Sequence, residues 1–356
     1  MKRITIVLAT IAFALLPSFA ENTQTTAQSP VPLPDVGNGR LKVCGQNLRN
    51  YYYYYSDNDR PDYNNQAGFA KKTHKIVDAM MWVDADIYAF CEVEARPIVL
   101  QQLADSMNAR VQGTPYAAVN DYIDVPSSQR TNNIKSGFIY RTDRVQPYGL
   151  NYSGSSSTYY NETMRIQAFR EISSGQCFTL SMNHFKAKDS SNDAGNGTRV
   201  KNATQLLSAL RNSAADPDIL IMGDLNCEVG EEPITLIYNA GFEGQLLRFE
   251  PNAYTHCWNG GELIDHALAN TTMAAQITGA GVYHICTSCG DYSYLNYDYR
   301  YSDHDPYIVG INLTGSSSFS TEDEVDTTVR KRIENGRLII ILPDGTHYST
   351  LGQRIK

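Results

Sequence analysis

Short apolar runs alternate along this chain with stretches in which apolar residues return every three or four positions. The runs Leu41–Gln46, Ile87–Glu92, Gly137–Arg141, Phe178–Asn183 and Ile219–Met222 have the length and β-branched or aromatic content of strands. Phe69, Ile76, Met80 and Val83 share one face of a predicted helix over Ala67–Val83. Val200, Ala203, Leu207 and Leu210 mark a second helix from about Arg199 to Arg211. Further strands are expected at Leu263–Ala269 and Tyr307–Asn312. Strands and helices in this order predict an α+β sandwich with helices on its outer faces.

The two ends of the chain follow other patterns. Lys2 and Arg3 precede an apolar run from Ile4 to Leu16, closed by Pro17-Ser18-Phe19-Ala20. This layout predicts a secretory signal over residues 1–20, cleaved near Ala20, because the run is too short for a comfortable membrane span. The expected destination is periplasmic, cell-surface or extracellular, without stable membrane insertion. Residues 21–39, rich in Thr, Gln, Ser and Pro, read as a leader, and residues 40–314 hold the main domain. Residues 315–328 read as a linker of Ser, Thr and acidic residues. In 329–356, Asn335-Gly336 and Asp344-Gly345 are turn signals around Leu338–Leu342, which predicts a small β-rich tail.

Composition changes this picture in two places. The formal charge of −8 becomes two units more negative once Lys2 and Arg3 are removed. So acidic a chain is not built to hold nucleic acid tightly without turnover, whereas clustered carboxylates can serve an enzyme by holding cations. The seven cysteines leave at least one unpaired. Cys286 and Cys289 have the spacing of half a zinc site, but no second Cys or His pair accompanies them, which favours a disulfide or plain thiols. Cys44, Cys91 and Cys177 lie in apolar runs and are expected to be buried thiols.

Six segments set polar residues at the ends of apolar runs: Gln46-Asn47, Cys91-Glu92, Asn183-His184, Gly223-Asp224-Leu225-Asn226, Ile264-Asp265-His266 and Ser302-Asp303-His304. One such ending is ordinary turn chemistry. Together they supply carboxylates and amides suited to a hard cation, with histidines for proton transfer.

The order of these segments resembles the endonuclease/exonuclease/phosphatase superfamily, which includes deoxyribonuclease I and abasic-site endonucleases. The resemblance rests on Asp86-Ile87-Tyr88-Ala89-Phe90-Cys91-Glu92-Val93, Gly223-Asp224-Leu225-Asn226 and Ser302-Asp303-His304-Asp305-Pro306. Asn183-His184-Phe185-Lys186-Ala187-Lys188, Glu262-Leu263-Ile264-Asp265-His266-Ala267-Leu268 and Leu295-Asn296-Tyr297-Asp298-Tyr299-Arg300 are similar to large extracellular bacterial nucleases within it. The similarity covers about Leu41 to Leu313 and implies a four-layer α/β-sandwich of two mixed β-sheets flanked by helices. It implies that Asn47 and Glu92 bind Mg²⁺, with Mn²⁺ or Ca²⁺ as alternatives, and that Asp303 joins or positions that site. Asp224 and Asn226 would bracket the attacking water and the scissile phosphate. His304 would receive the water's proton, with Asp265 fixing its tautomer, and His184 would reach the phosphate oxygens. The sequence offers no match for the carboxylate that partners the first histidine in deoxyribonuclease I.

Further residues are candidates for contacts with flanking phosphates: Lys186 and Lys188, against a solvated loop, and Arg141 and Arg165 on strands. Arg199 matches a family arginine that opens a helix, or forms a structural salt bridge. His266 should point away from Asp265 and be structural, and Asp305 and Pro306 should shape the turn after His304. The run Tyr51–Tyr55 either stacks bases of a single strand or forms a Tyr-rich exposed loop. The resemblance implies a phosphodiesterase acting on DNA, and on RNA as an extension; the signal segment adds secretion, and a monomer is the expected state. The alternatives are a phosphoesterase on lipid or small-molecule phosphates, sphingomyelinase-like or inositol-phosphate-cleaving, and a non-catalytic surface-binding protein on the same fold.

Overall fold

The computed structural model describes residues 28–53, 66–113, 115–120, 134–154, 164–188, 196–256, 261–287 and 298–314, with four short strands beyond them. The expected signal segment, the linker and residues 21–27 of the leader lie outside the described residues. So do Tyr54, Tyr55, Cys257, Cys289, the Leu295–Tyr297 part of one motif and both turns of the tail.

Two six-stranded mixed sheets face each other. The first contains β1 (Leu41–Tyr51), β2 (Ile87–Glu94), β3 (Tyr116–Ala118), β4 (Ile134–Arg141), β11 (Ile277–Val282) and β12 (Tyr307–Ile311). Its order is β11-β12-β1-β2-β4-β3. The second contains β5 (Val145–Gly154), β6 (Met164–Glu171), β7 (Cys177–His184), β8 (Ile219–Asp224), β9 (Phe242–Gly244) and β10 (Asp265–Asn270), in the order β5-β6-β7-β8-β10-β9. Each sheet has one parallel pair at its centre, β1 with β2 and β7 with β8, and its other pairings are antiparallel. Parallel neighbours need a crossover, which α1 (Gln66–Val83) and α3 (Asn196–Ser213) supply. Helices α2 (Pro97–Asn108), α4 (Glu232–Asn239), α5 (Gln245–Phe249) and α6 (Thr271–Ala274) complete the domain. A separate antiparallel meander in the tail runs through β13 (Arg330–Glu334), β14 (Arg337–Ile341), β15 (His347–Ser349) and β16 (Arg354–Ile355).

Alternation within the strands builds three apolar layers. Val43, Ala89, Phe138, Leu180, Met182, Leu220, Met222 and Val309 meet between the sheets. Cys44, Tyr88, Phe90 and Ile139 point outward against Ile76, Met80 and Val83 of α1 and Leu100 and Leu103 of α2. Ile166, Ile221 and Leu268 face Ala203, Leu206 and Leu210 of α3 and Ile234 and Ile237 of α4. Phe69 is only half-buried, and in α3 the buried leucine is Leu206 rather than Leu207. Cys44 and Cys91 are buried thiols, but Cys177 is partly exposed at the start of β7, contrary to expectation. Cys286 is a buried free thiol.

The tyrosine run turns inward. Tyr51 and Tyr52 are buried, and Tyr51 stacks on Phe69 at 5.3 Å while its hydroxyl meets Thr73 Oγ1 at 2.9 Å. Tyr53 packs edge-on against the same Phe69. Burial removes Tyr51 and Tyr52 from any base-stacking surface. Among the described residues, no helix is long and apolar enough to cross a membrane.

Candidate active site between the two sheets

The parallel pairs end on the same side of the sandwich and present their C-terminal residues to one cleft, as open α/β sheets commonly do. In the second sheet a single rung carries three acid–base groups. His184 is the register partner of Asp224, and Asp224 that of Asp265. From the first sheet come Asn47, in register with Cys91, and the adjacent Glu92. Register shifts between Asn47 and Tyr51, and between Phe90 and Val93, break the ladder here. Bulges of this kind re-aim side chains.

The backbone is unusual in the same places. Arg49, Asn50, Glu92 and Asn226 have φ of 45°, 49°, 54° and 50°. Left-handed conformations cost energy in non-glycine residues and persist where the surroundings over-determine them. Here hydrogen bonds do so. Glu92 Oε2 accepts from Asn50 N at 2.9 Å, Asn47 Oδ1 from Arg49 N at 2.8 Å, and Asp224 Oδ1 from Asn226 N at 2.9 Å.

His304 belongs to the segment entering β12 and is anchored from several sides. Gln46 Nε2 donates to its carbonyl at 3.0 Å, and Ser302 Oγ donates to the Asn47 carbonyl at 2.7 Å. Its Nδ1 lies 2.7 Å from Asp265 Oδ2. Its Nε2 faces Asp224 Oδ2 at 3.6 Å. That gap is too long for a good hydrogen bond, but one water can touch both atoms. His184 Nε2 lies 3.6 Å from Glu92 Oε1 and 3.8 Å from Asp224 Oδ2. Glu92 and Asp224 are thus the carboxylates beside His184, each beyond direct hydrogen-bond distance, where the sequence suggested no carboxylate partner.

Asn47 sits between the carboxylates, its Nδ2 donating to Glu92 Oε1 at 3.0 Å and to Asp224 Oδ2 at 2.9 Å. The bond from Arg49 N fixes which end of the amide is oxygen, since an N–H needs an acceptor. In this arrangement Asn47 presents nitrogen, not the expected metal-ligating oxygen, to the acidic cluster. Asn226 is nearly buried and spends one amide hydrogen on the Phe185 carbonyl at 3.1 Å. Its second hydrogen remains for a ligand.

The charges are strongly interdependent. Burial raises the Asp224 carboxyl above its ordinary range, with His304 opposing and Asp265 adding to the rise. Burial acts the same way on Asp265, but His304 outweighs it and holds Asp265 below the usual range. Burial disfavours a charged His304, yet Asp265 and Asp224 together place its imidazole well above the ordinary histidine range. A divalent charge among these carboxylates acts in the opposite sense. Asp303 is held low by His304, Arg49 and His256 against the effect of burial. Arg49 Nη1 meets Asp303 Oδ2 at 2.7 Å, while Asp303 Oδ1 is buried with no hydrogen-bond partner. Glu92, Asp224 and His184 offer ligand atoms within 4.8 Å of one another. Two carboxylates and an imidazole converging in this way fit a divalent cation.

Other expected contacts are distributed unevenly. Arg165 is in register with Met182 and therefore projects from the inner face, two residues along from the position facing His184. It is buried, with Nη1 3.4 Å from Asn151 Oδ1. Arg141 is misplaced for substrate. It lies at the end of β4 that pairs with Ile87, across the sheet from Glu92, and binds Asp143 and Asp84. Lys186 is exposed at the exit of β7, and Lys188 pairs with Glu231 at 2.7 Å. Arg199 is buried, reaching Glu231 at 3.8 Å and the Lys186 carbonyl at 3.5 Å, which is the structural role. His266 turns from the cleft to the Cys227 carbonyl at 2.7 Å. Asp305 accepts bonds from Cys286 N, Thr287 N and Thr287 Oγ1, and pairs with His284. Arg49 and His256 border the cleft without having been expected there. Nothing in their local sequence marks them.

No family model matches the sequence, and no curated protein matches it. Solved structures match its fold. An endonuclease/exonuclease/phosphatase from Bacteroides vulgatus superposes with a TM-score of 0.56 at 13% identity, covering 77% of this chain and 99% of that one. The mannosyl-6-phosphatase of Bacteroides thetaiotaomicron gives 0.54 at 16% identity, over 77% and 100%. D. rerio TDP2 complexed with single-strand DNA product gives 0.50 at 16% identity, over 77% and 99%. The two six-stranded sheets are those of the deoxyribonuclease I-like fold.

Proposed function

We propose that this chain is a secreted, divalent-metal-dependent phosphodiesterase whose substrate is nucleic acid, DNA first. The observation that carries the reading is the aim of His304. Its Nδ1 is held by Asp265, and its Nε2 opens onto Asp224 beside Glu92 and His184. An imidazole with one nitrogen fixed by a carboxylate offers the other as a proton acceptor. Fold similarity to a sugar phosphatase and to a protein complexed with a DNA product is consistent with phosphoester chemistry. Fold alone does not select a substrate.

Glu92 and Asp224, with the Asn47 carboxamide turned over and Asp303 adding negative charge nearby, would hold Mg²⁺ or a similar ion, which supplies charge neutralisation at the phosphate. The chain's own residues do the rest. Water lodged between His304 Nε2 and Asp224 Oδ2 attacks phosphorus in line with the departing oxygen. As the new P–O bond forms, the water's proton passes to His304 and the ester P–O bond breaks with inversion, the departing oxygen taking a proton from solvent and leaving as the alcohol. Asp265 holds the neutral ring's proton on Nδ1, which leaves Nε2 as the accepting nitrogen, and then balances the imidazolium. Asn226 and His184 donate to the phosphate oxygens.

The test is turnover of plasmid, RNA, sphingomyelin and inositol phosphates by the purified protein, with Mg²⁺ and then with EDTA. Metal-dependent cleavage of the nucleic acids alone is the expected result. Cleavage confined to sphingomyelin or inositol phosphates would transfer the same chemistry to another substrate, and no turnover on any of them would refute it.

A further inference from the structure

His256 takes no part in the chemistry derived above, yet its position is fixed closely. Its backbone bridges Glu262 on one side and His304 on the other. Its Nδ1 lies 3.4 Å from Glu262 Oε2, and its ring centroid 4.8 Å from that of His304. Its Nε2 then points at Asp303, 3.9 Å from Oδ2. His304 repeats this arrangement: Nδ1 is taken by Asp265, and Nε2 is 3.9 Å from Asp303 Oδ1. Two imidazoles, each with a carboxylate on Nδ1, thus bring Nε2 to 3.9 Å from one aspartate, His256 at Oδ2 and His304 at Oδ1, the buried oxygen without a hydrogen-bond partner.

Carboxylate–histidine pairs of this form orient metal-ligating nitrogens and raise their basicity. One ring nitrogen of each histidine and an Asp303 oxygen lie within 4.8 Å of one another. A tetrahedral ion with bonds of about 2.0–2.1 Å sets its ligands roughly 3.4 Å apart, so modest side-chain rotation closes the site. Two imidazoles and one carboxylate suit zinc-class ions; Mg²⁺ prefers oxygen throughout. Arg49 occupies Asp303 Oδ2, which leaves Oδ1 for the cation.

We propose that His256, Asp303 and His304 form a second cation site, selective for zinc-class transition metals, whose occupation withholds His304 Nε2 from the attacking water and halts hydrolysis. The inhibitory half rests on the function proposed above; the binding half does not.

The test uses the whole protein and Zn²⁺ alone, in competition with a chromogenic chelator, alongside turnover of bis(p-nitrophenyl) phosphate at fixed Mg²⁺. His256→Phe keeps a planar ring and removes the ligand, and thermal melting establishes that it folds. It is expected to weaken Zn²⁺ binding more than about tenfold, leave Mg²⁺-supported turnover within about twofold, and shift zinc inhibition by the same factor as binding. Glu262→Gln, which leaves all three ligands in place, is expected to weaken binding about 10-fold. Co²⁺ substitution should give a spectrum without thiolate charge-transfer bands. Unchanged Zn²⁺ affinity in His256→Phe, or thiolate bands with Co²⁺, overturns the site. Binding that depends on His256 but leaves turnover untouched overturns the inhibition. If the wild type hydrolyses no phosphodiester, the proposed function fails and the zinc titration still decides the site.

Discussion

Asp265 and His304 meet at 2.7 Å although 39 residues separate them, one ending a rung of the second sheet and the other entering a strand of the first. Both are buried. The pair therefore joins the two sheets at the point where the proton is to be moved.

Replacing His304 with Ala should lower turnover by about 10²–10⁴-fold, the usual contribution of a positioned acid–base group, with little change in melting temperature. Asp265→Asn preserves shape but not the tautomer, so kcat should fall by at least about 10²-fold while KM changes little. Steady-state kinetics on one phosphodiester checks both. Equal loss in KM and kcat for Asp265→Asn would indicate displaced substrate instead of a misdirected imidazole.

Removal of divalent cations with EDTA should abolish activity, and Mg²⁺ should restore it. Glu92→Gln keeps the size of the side chain and removes its charge. The variant should require at least about tenfold more Mg²⁺ for half-maximal rate. A Mg²⁺ titration showing the wild-type midpoint would take Glu92 out of the cation site.

Gly223 has φ of 149°, and a Cβ there would collide with the Asn183 carbonyl oxygen. Gly223→Ala is expected to cost about 3 kcal/mol, because main chain of the neighbouring parallel strand cannot move aside as a side chain can. Denaturant unfolding measures the loss, and activity should fall with it because Asp224 is the next residue.

Asp216 lies under the second sheet, its carboxylate accepting from Asp218 N at 2.9 Å, and burial pushes its carboxyl up to about 6. The folded state therefore holds this proton more tightly than the unfolded chain does. Its stabilising contribution is complete below the ordinary carboxylate range and is lost as pH rises through about 6. Asp216→Asn should flatten the pH dependence of the melting temperature between about 4 and 6. An unaltered slope there would contradict the assignment.

Much of the architecture was legible because regular burial leaves a regular pattern. The strands that end in Asn47, Glu92, His184 and Asp224 are apolar runs cut off by polar groups, and α1 and α3 show helical periodicity. Strand β6 shows only a short alternation, Met164, Ile166 and Ala168 against Arg165 and Gln167, which Phe169, Arg170 and Glu171 break, and its buried Arg165, Gln167 and Glu171 leave no continuous apolar run. Strand β5 is half-exposed and lacks a buried face to advertise it. Arg141 shows the limit at the site. Membership of a strand was readable, but which end of the sheet it occupies depends on pairing partners distant in sequence. Arg49 and His256 were missed for the same reason: Arg49 meets Asp303 across 254 residues, and His256 reaches Asp303 and His304 only through folding.

The layer of Met182, Met222, Phe138 and their neighbours has a bearing beyond cohesion. Glu92 rides on one wall of this filling and Asp224 on the other, so its thickness is the gauge for the gap across which they cooperate. A methylene added or removed deep in that filling would reset the gap without touching any reactive group. Changes in rate are thus to be sought in the molecule's interior as well as at the mouth of the cleft.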